Sequence, residues 1–290
     1  MAAQARKDGA VIPAEDGIYP GISEGTYHGD RGSLSSSGAR ALLEPSCPAI
    51  FRYEQLQPPK PKKEYDFGHG AHKFVLGEGE EIVPIYADDW RTKDARKQRD
   101  DAHAEGKVPL LIDQVEKAQA MANAVYEHPV ARALLTADGM AELSGYWHDP
   151  VTGVRLRYRP DWLCQIGSRI ICVDYKSAKS AHPGSFARSA ADYGYHQQDA
   201  WYRAGLVANE IDDDPQFIFI VQAKTPPFPV TVLRINAEHV TLGARRNREA
   251  IDLYHRCVTT GIWPGYGERI HTIDLPSYHV YQQEQELDAA

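Results

Sequence analysis

The stretch RYRPDWLCQIGSRIICVDYKSA, residues 157–178, decides how this chain folds. Two apolar runs flank Gly167 and read as antiparallel strands over 161–166 and 169–177 joined by a tight turn. Residues two apart on a strand share a face, so Ile170, Cys172, Asp174 and Lys176 point one way and Ile171, Val173 and Tyr175 the other. Both faces begin apolar, the mark of a central strand covered on both sides. Charges at the end of such a strand are costly unless they are paired or hold a metal. The hairpin lays Asp161 beside Asp174, so two carboxylates converge with the ammonium of Lys176 next to them. That set suits hydrolysis assisted by a hard divalent ion, which takes few carboxylates and leaves room for water and phosphate oxygens. The lysine orients the water or balances developing negative charge. Asp-x-Lys alone is common, and its plainer reading is a salt bridge at a strand end.

Outward from this hairpin, the turn DPVTG (149–153) separates strands over 142–148 and 154–159. Helical spacing of apolar residues predicts a helix over 110–135, interrupted at His128-Pro129, and another over 185–209. Strands over 216–223 and 229–235 follow. A long helix over 238–260 has Asn236 as its cap and Gly261 and Pro264 as stop signals. Upstream, the serines of SLSSS cap a helix from about Ser36, and FGHGAHKFVL is a short helix ending at Gly77 or Gly79. Residues 88–107 read as a charged, solvated helix or lid. The segment QPPKPKKEYD (57–66) is a basic, proline-rich linker, and residues 1–24 and 282–290 read as flexible and frayed tails. The order of elements gives an α/β fold: a central mixed sheet with helices on both faces, in one domain over 25–281.

The motifs resemble those of a known family. Pro160-Asp161, a strand, then Asp174-Tyr175-Lys176 resembles the PD-(D/E)XK nuclease core, with Asp174 where the family often has Glu. YHQQDAWYRAG is similar to the Gln-x-x-x-Tyr motif of its RecB-like branch, here Gln198 and Tyr202. FGHGAHKFVL resembles that branch's Gly-x-x-x-His helix, here Gly68 and His72, with His69 as the competing histidine. AELSGYWHDPVTGVRLRYRPDWL is similar to the exonuclease VIII (RecE-like) subgroup of phage and prophage enzymes, and this adds Glu142 to the site. The resemblance covers about 25–265 and implies a restriction-endonuclease-like core, about 66–265. It implies Mg²⁺, with Mn²⁺ as the alternative, held by His72, Asp161, Asp174, the Tyr175 carbonyl and Glu142. Lys176, Gln198 and Tyr202 complete the catalytic set. It further implies 5′→3′ degradation of double-stranded DNA ends in recombination, a ring-like homo-oligomer, and a single-strand annealing partner in the host cytoplasm. An endonuclease on the same core and a catalytically silent DNA-end binding module are the rival readings.

Composition bounds these expectations. The 290 residues carry a net charge of −8, which speaks against a surface that coats nucleic acid throughout but not against a local basic path. Arg155, Arg157 and Arg159 alternate on one strand face before Asp161 and are the expected phosphate contacts. Lys60, Lys62 and Lys63, the cations of 91–99, and Arg245, Arg246 and Arg248 are further candidates for the path. The four cysteines, Cys47, Cys164, Cys172 and Cys257, are scattered and read as reduced core residues, not as ligands of an iron–sulfur cluster. No Walker A sequence occurs, so no ATP motor is expected. No apolar run is long enough to span a membrane, and the first residues lack the apolar stretch of a signal peptide.

Overall fold

The computed structural model describes residues 11–57 and 66–289. The proposed cations Lys60, Lys62 and Lys63 lie outside the described residues, as do most of the linker and the first ten residues. In chain order the elements begin with β1 (Gly17–Tyr19), α1 (Glu24–Gly29), β2 (Leu34–Ser35), α2 (Ser36–Ala41), α3 (Pro48–Leu56) and α4 (Asp66–Leu76). Next come β3 (Ile82–Ile85), α5 (Lys93–Ala104), β4 (Val108–Leu111), α6 (Ile112–Glu127) and α7 (Pro129–Leu135). The strands β5 (Asp138–Ala141), β6 (Ser144–His148), β7 (Arg155–Tyr158), β8 (Trp162–Ile166) and β9 (Arg169–Ala178) follow. The rest is α8 (Pro183–Asp192), α9 (Tyr195–Ala208), β10 (Gln216–Ala223), β11 (Val230–Leu233), α10 (Ala237–Thr260) and α11 (Ser277–Asp288).

Among the described residues, a five-stranded sheet runs β11-β10-β9-β8-β5, with β9 and β10 parallel and the other pairs antiparallel. A second mixed sheet runs β1-β6-β7-β2, and β3 pairs with β4. The two-residue alternation of β9 sorts its side chains between two cores. Cys172 joins the cluster under α2, α8, α9 and α10, while Ile171, Val173 and Tyr175 join the one under α4, α6 and α7. This is the mixed α/β architecture expected from residues 157–178, with helices on both faces. No helix of the described residues is long and apolar enough to cross a membrane.

Several boundaries differ from those expected, each for a local reason. The strand expected over 142–148 begins at Ser144, and an unexpected strand, β5, precedes it; the chain turns between them at Glu142, whose φ is 50°, so β5 enters the five-stranded sheet and β6 the other. The helix expected over 185–209 breaks at Gly194, which takes the left-handed conformation (φ 65°). A Cβ there would come within 2.7 Å of the Arg40 side chain. Residues 17–24 are no tail: β1 pairs with β6, and Ser23 caps α1 by accepting from Thr26 N–H at 3.2 Å. Toward the C-terminus, α11 runs to Asp288, and none of its side chains is buried. All four cysteines are free and buried.

Candidate active site

The β8–β9 hairpin sets the geometry. Trp162 pairs with Val173, which brings Asp161 and Asp174 to neighbouring positions where the two strands part. Asp161 does not continue the ladder. Its Oδ2 accepts a hydrogen bond from the Tyr175 N–H at 2.7 Å, so the carboxylate caps the backbone of β9. The same oxygen lies 3.1 Å from Nε2 of His72, which α4 brings in from the second core. His69, one turn earlier on α4, approaches Glu24 instead, at 3.9 Å. The structure therefore places His72, not His69, against Asp161. The Tyr175 ring meets the His72 ring edge-on at 5.5 Å and its hydroxyl donates to Gln222 at 2.6 Å, so it is the backbone of Tyr175 that faces Asp161.

Asp174 is 1% exposed, and both its oxygens are engaged. Nε2 of Gln198, on α9, donates to Oδ1 at 2.6 Å. Nζ of Lys176 lies 2.6 Å from Oδ2, which has no other donor, and 5.1 Å from the centre of the Tyr195 ring. Helix α9 reaches this position because α10 packs closely on it: Asn247 donates to the Gln197 carbonyl at 2.8 Å. Tyr202, one turn beyond Gln198, packs its ring against Tyr158 and Phe217. It stands with the aromatic core, near enough to Asp174 and Asp161 for their charge, after burial, to push its hydroxyl well up.

Electrostatics divides the two acids. Burial would raise Asp161, but the imidazole of His72 and the ammonium of Lys176 outweigh it and hold the carboxyl below its usual range. Asp174 is pushed up by burial and by its neighbour Asp161, against the pull of Lys176. Burial would lower His72 and Lys176. The two carboxylates overcome this in both, raising His72 to about 9 and Lys176 above its ordinary value. At neutral pH the cluster thus sets the two acids against an imidazolium and an ammonium. Its donors, two carboxylates and one imidazole around Asp161 and Asp174, are those a hard or borderline divalent ion takes up, and a cation there would replace the two protonated groups as counter-charge.

Glu142 sits at the margin. Its N–H donates to the Asp161 carbonyl at 3.2 Å, and its carboxylate lies 3.9 Å from Arg159. Burial pushes that carboxyl up, opposed by Arg159 and His72. The arginine trio is a correction. Arg157 is 6% exposed and donates to the Ser33 carbonyl and, at 2.9 Å, to its hydroxyl. Arg159 donates to the Ile22 carbonyl at 2.5 Å and to Ser144, and Arg155 donates to the carbonyls of Pro13 and Glu15. Their guanidinium groups also lie over Tyr146 and Tyr27. The three share one face, but that face is turned to the N-terminal segment, whose carbonyls take up the guanidinium groups expected to meet phosphate. Arg248 is likewise committed, to Asp149 at 2.6 Å and Asp252 at 2.7 Å.

One cation went unread. Arg40, on α2, donates to Ser36 at 3.2 Å and to the Gly194 carbonyl at 3.5 Å. Burial lowers its guanidinium, while Tyr202, Tyr195 and Asp174 pull the other way, which places it beside the catalytic candidates. Nothing local in SLSSSGAR announces this; only the packing of α2 on α9 does.

A solved structure shares the fold. A protein of Eubacterium rectale named "Putative exonuclease" superposes with a TM-score of 0.54 at 9% identity, covering 86% of this chain and 92% of that one. A phage related exonuclease from Haemophilus somnus 129PT gives a TM-score of 0.31 at 12% identity, over 79% and 96% of the two chains. No curated protein matches the chain. Residues 35–276 match the PDDEXK-like domain of unknown function (DUF3799), and the chain belongs to that family.

Proposed function

We propose that the chain is a metal-dependent exonuclease that degrades linear double-stranded DNA from its ends, as the resemblance to exonuclease VIII implies. The observation that carries this reading is the convergence of Asp161, Asp174, Lys176, His72 and Gln198 at the mouth of one hairpin. Asp161, Asp174, His72 and the Tyr175 carbonyl would hold Mg²⁺ or Mn²⁺. Held there, the ion would supply an activated water and charge neutralisation at the scissile phosphate. Lys176, kept protonated by its two carboxylates, offers a positive charge to the phosphate oxygens. Gln198 holds Asp174 in place through Oδ1 and leaves Oδ2 to face the site. Arg40, whose guanidinium feels Tyr202, Tyr195 and Asp174, is a second cation for the DNA backbone. The 5′→3′ polarity, a ring of identical subunits, an annealing protein as partner and a setting in phage or prophage recombination belong to the same reading.

The test uses purified full-length chain, Mg²⁺ and blunt linear duplex. Nucleotides are released from the linear DNA, covalently closed circles stay intact, and Lys176→Ala lowers the rate by about 100-fold or more. Cutting of closed circles would favour the endonuclease reading. Binding of ends without turnover would favour the silent module.

A further inference from the structure

His69 has a setting of its own. Its imidazole, an oxygen of Glu24 and an oxygen of Glu80 lie within 4.8 Å of one another. They come from three separate segments. Glu24 opens α1, His69 lies on α4, and Glu80 follows a turn that two glycines make feasible, Gly77 (φ 78°) and Gly79 (φ 122°). Lys73 holds that turn by donating to the Gly79 carbonyl at 2.7 Å. Glu24, Glu80 and Glu142 line a cleft of about 710 Å³. Burial and then the charge of Glu24 push the Glu80 carboxyl up, with Asp66 and Glu142 adding to it and His69 opposing. His28 approaches the same Glu24 oxygen at 3.9 Å. Acids thus converge around a nitrogen donor in a space open to solvent, and the catalytic reading uses none of the three.

We propose that Glu24, His69 and Glu80 hold a second divalent cation of the Mn²⁺ or Zn²⁺ type, beside the catalytic centre and separate from it. One imidazole with two carboxylates favours such ions over Ca²⁺, which takes oxygen donors. Three protein donors leave positions for water or a phosphate oxygen. The two histidines of α4 then serve different centres, His72 facing Asp161 and His69 facing Glu24. Glu142 stands between them, its carboxyl sensing His72 and Asp161 on one side and Glu24 on the other.

The test is Mn²⁺ titration by calorimetry on full-length proteins, with folding checked by thermal melting. The variant Asp161→Asn/Asp174→Asn removes the catalytic carboxylates. It is expected to keep one equivalent of Mn²⁺, bound more tightly than Ca²⁺. Adding Glu24→Gln/Glu80→Gln to that variant removes the equivalent, and adding His69→Gln weakens it about 10-fold or more. The proposal fails if the Asn/Asn variant shows no saturable Mn²⁺ binding below about 1 mM, or if its binding survives loss of both glutamates. Because the catalytic acids are absent from every arm, this outcome does not depend on whether the chain cuts DNA.

Discussion

At the scale of single residues, the two histidines of α4 show how three positions along a helix can separate two chemistries. His72 reaches Asp161 because α4 packs against β9 where the pairing of β9 with β8 has stopped, which leaves the Asp161 carboxylate to take an imidazole. The contact has a sign in pH. A histidine raised to about 9 on folding contributes stability that is full below its unfolded pKa, near 6.5, and is lost as the pH climbs through 9. In chelator, thermal melting of the wild type should therefore weaken from about pH 6.5 to 9 relative to His72→Gln, and the two curves should meet above that range. A difference that grows with pH would show that the imidazole is neutral in the folded state. In the sequence only helical phase and the Gly68 spacing disfavour His69, and it is the placement of α4 against β9 that decides for His72.

At the scale of elements, the legible parts are those where one local pattern suffices. Alternation along 169–177 marked the central strand and the side of each residue, and Asn236 and Gly261 bounded α10 as caps should. What was not legible depends on partners distant in sequence. Glu142 takes a positive φ because β5 and β6 go to different sheets, and the arginines of β7 meet carbonyls more than a hundred residues away. The close fit of α10 on α9 is of this second kind. A Cβ on Gly243 would lie 2.2 Å from the His196 carbonyl oxygen, which is backbone and cannot swing aside. Gly243→Ala should cost about 1–3 kcal/mol and lower the melting temperature by several degrees. It should also reduce nuclease activity through displacement of Gln198. An unchanged melt would mean that α10 tolerates a shift that the packing does not suggest.

At the scale of the molecule, the two cores on the faces of the five-stranded sheet meet at the catalytic candidates, His72 arriving from one side and Gln198 from the other. The C-terminal helix α11 adds to neither core. Tyr278, Tyr281 and Leu287 are 74%, 66% and 77% exposed. Removing residues 277–290 should therefore leave the melting temperature within about 1 °C of the full chain; a larger fall would show that α11 is seated on something.

The clamp made by Arg155, Arg157 and Arg159 also orders events in time. Arg155 grips a carbonyl 142 residues behind it, and Arg159 one 137 residues behind. During synthesis, which runs from the N-terminus, β1 and α1 wait for β7 before they can be fastened. Asp174 waits longer still for Gln198. The proposed centre therefore cannot assemble until α9, which ends at Ala208, has left the ribosome.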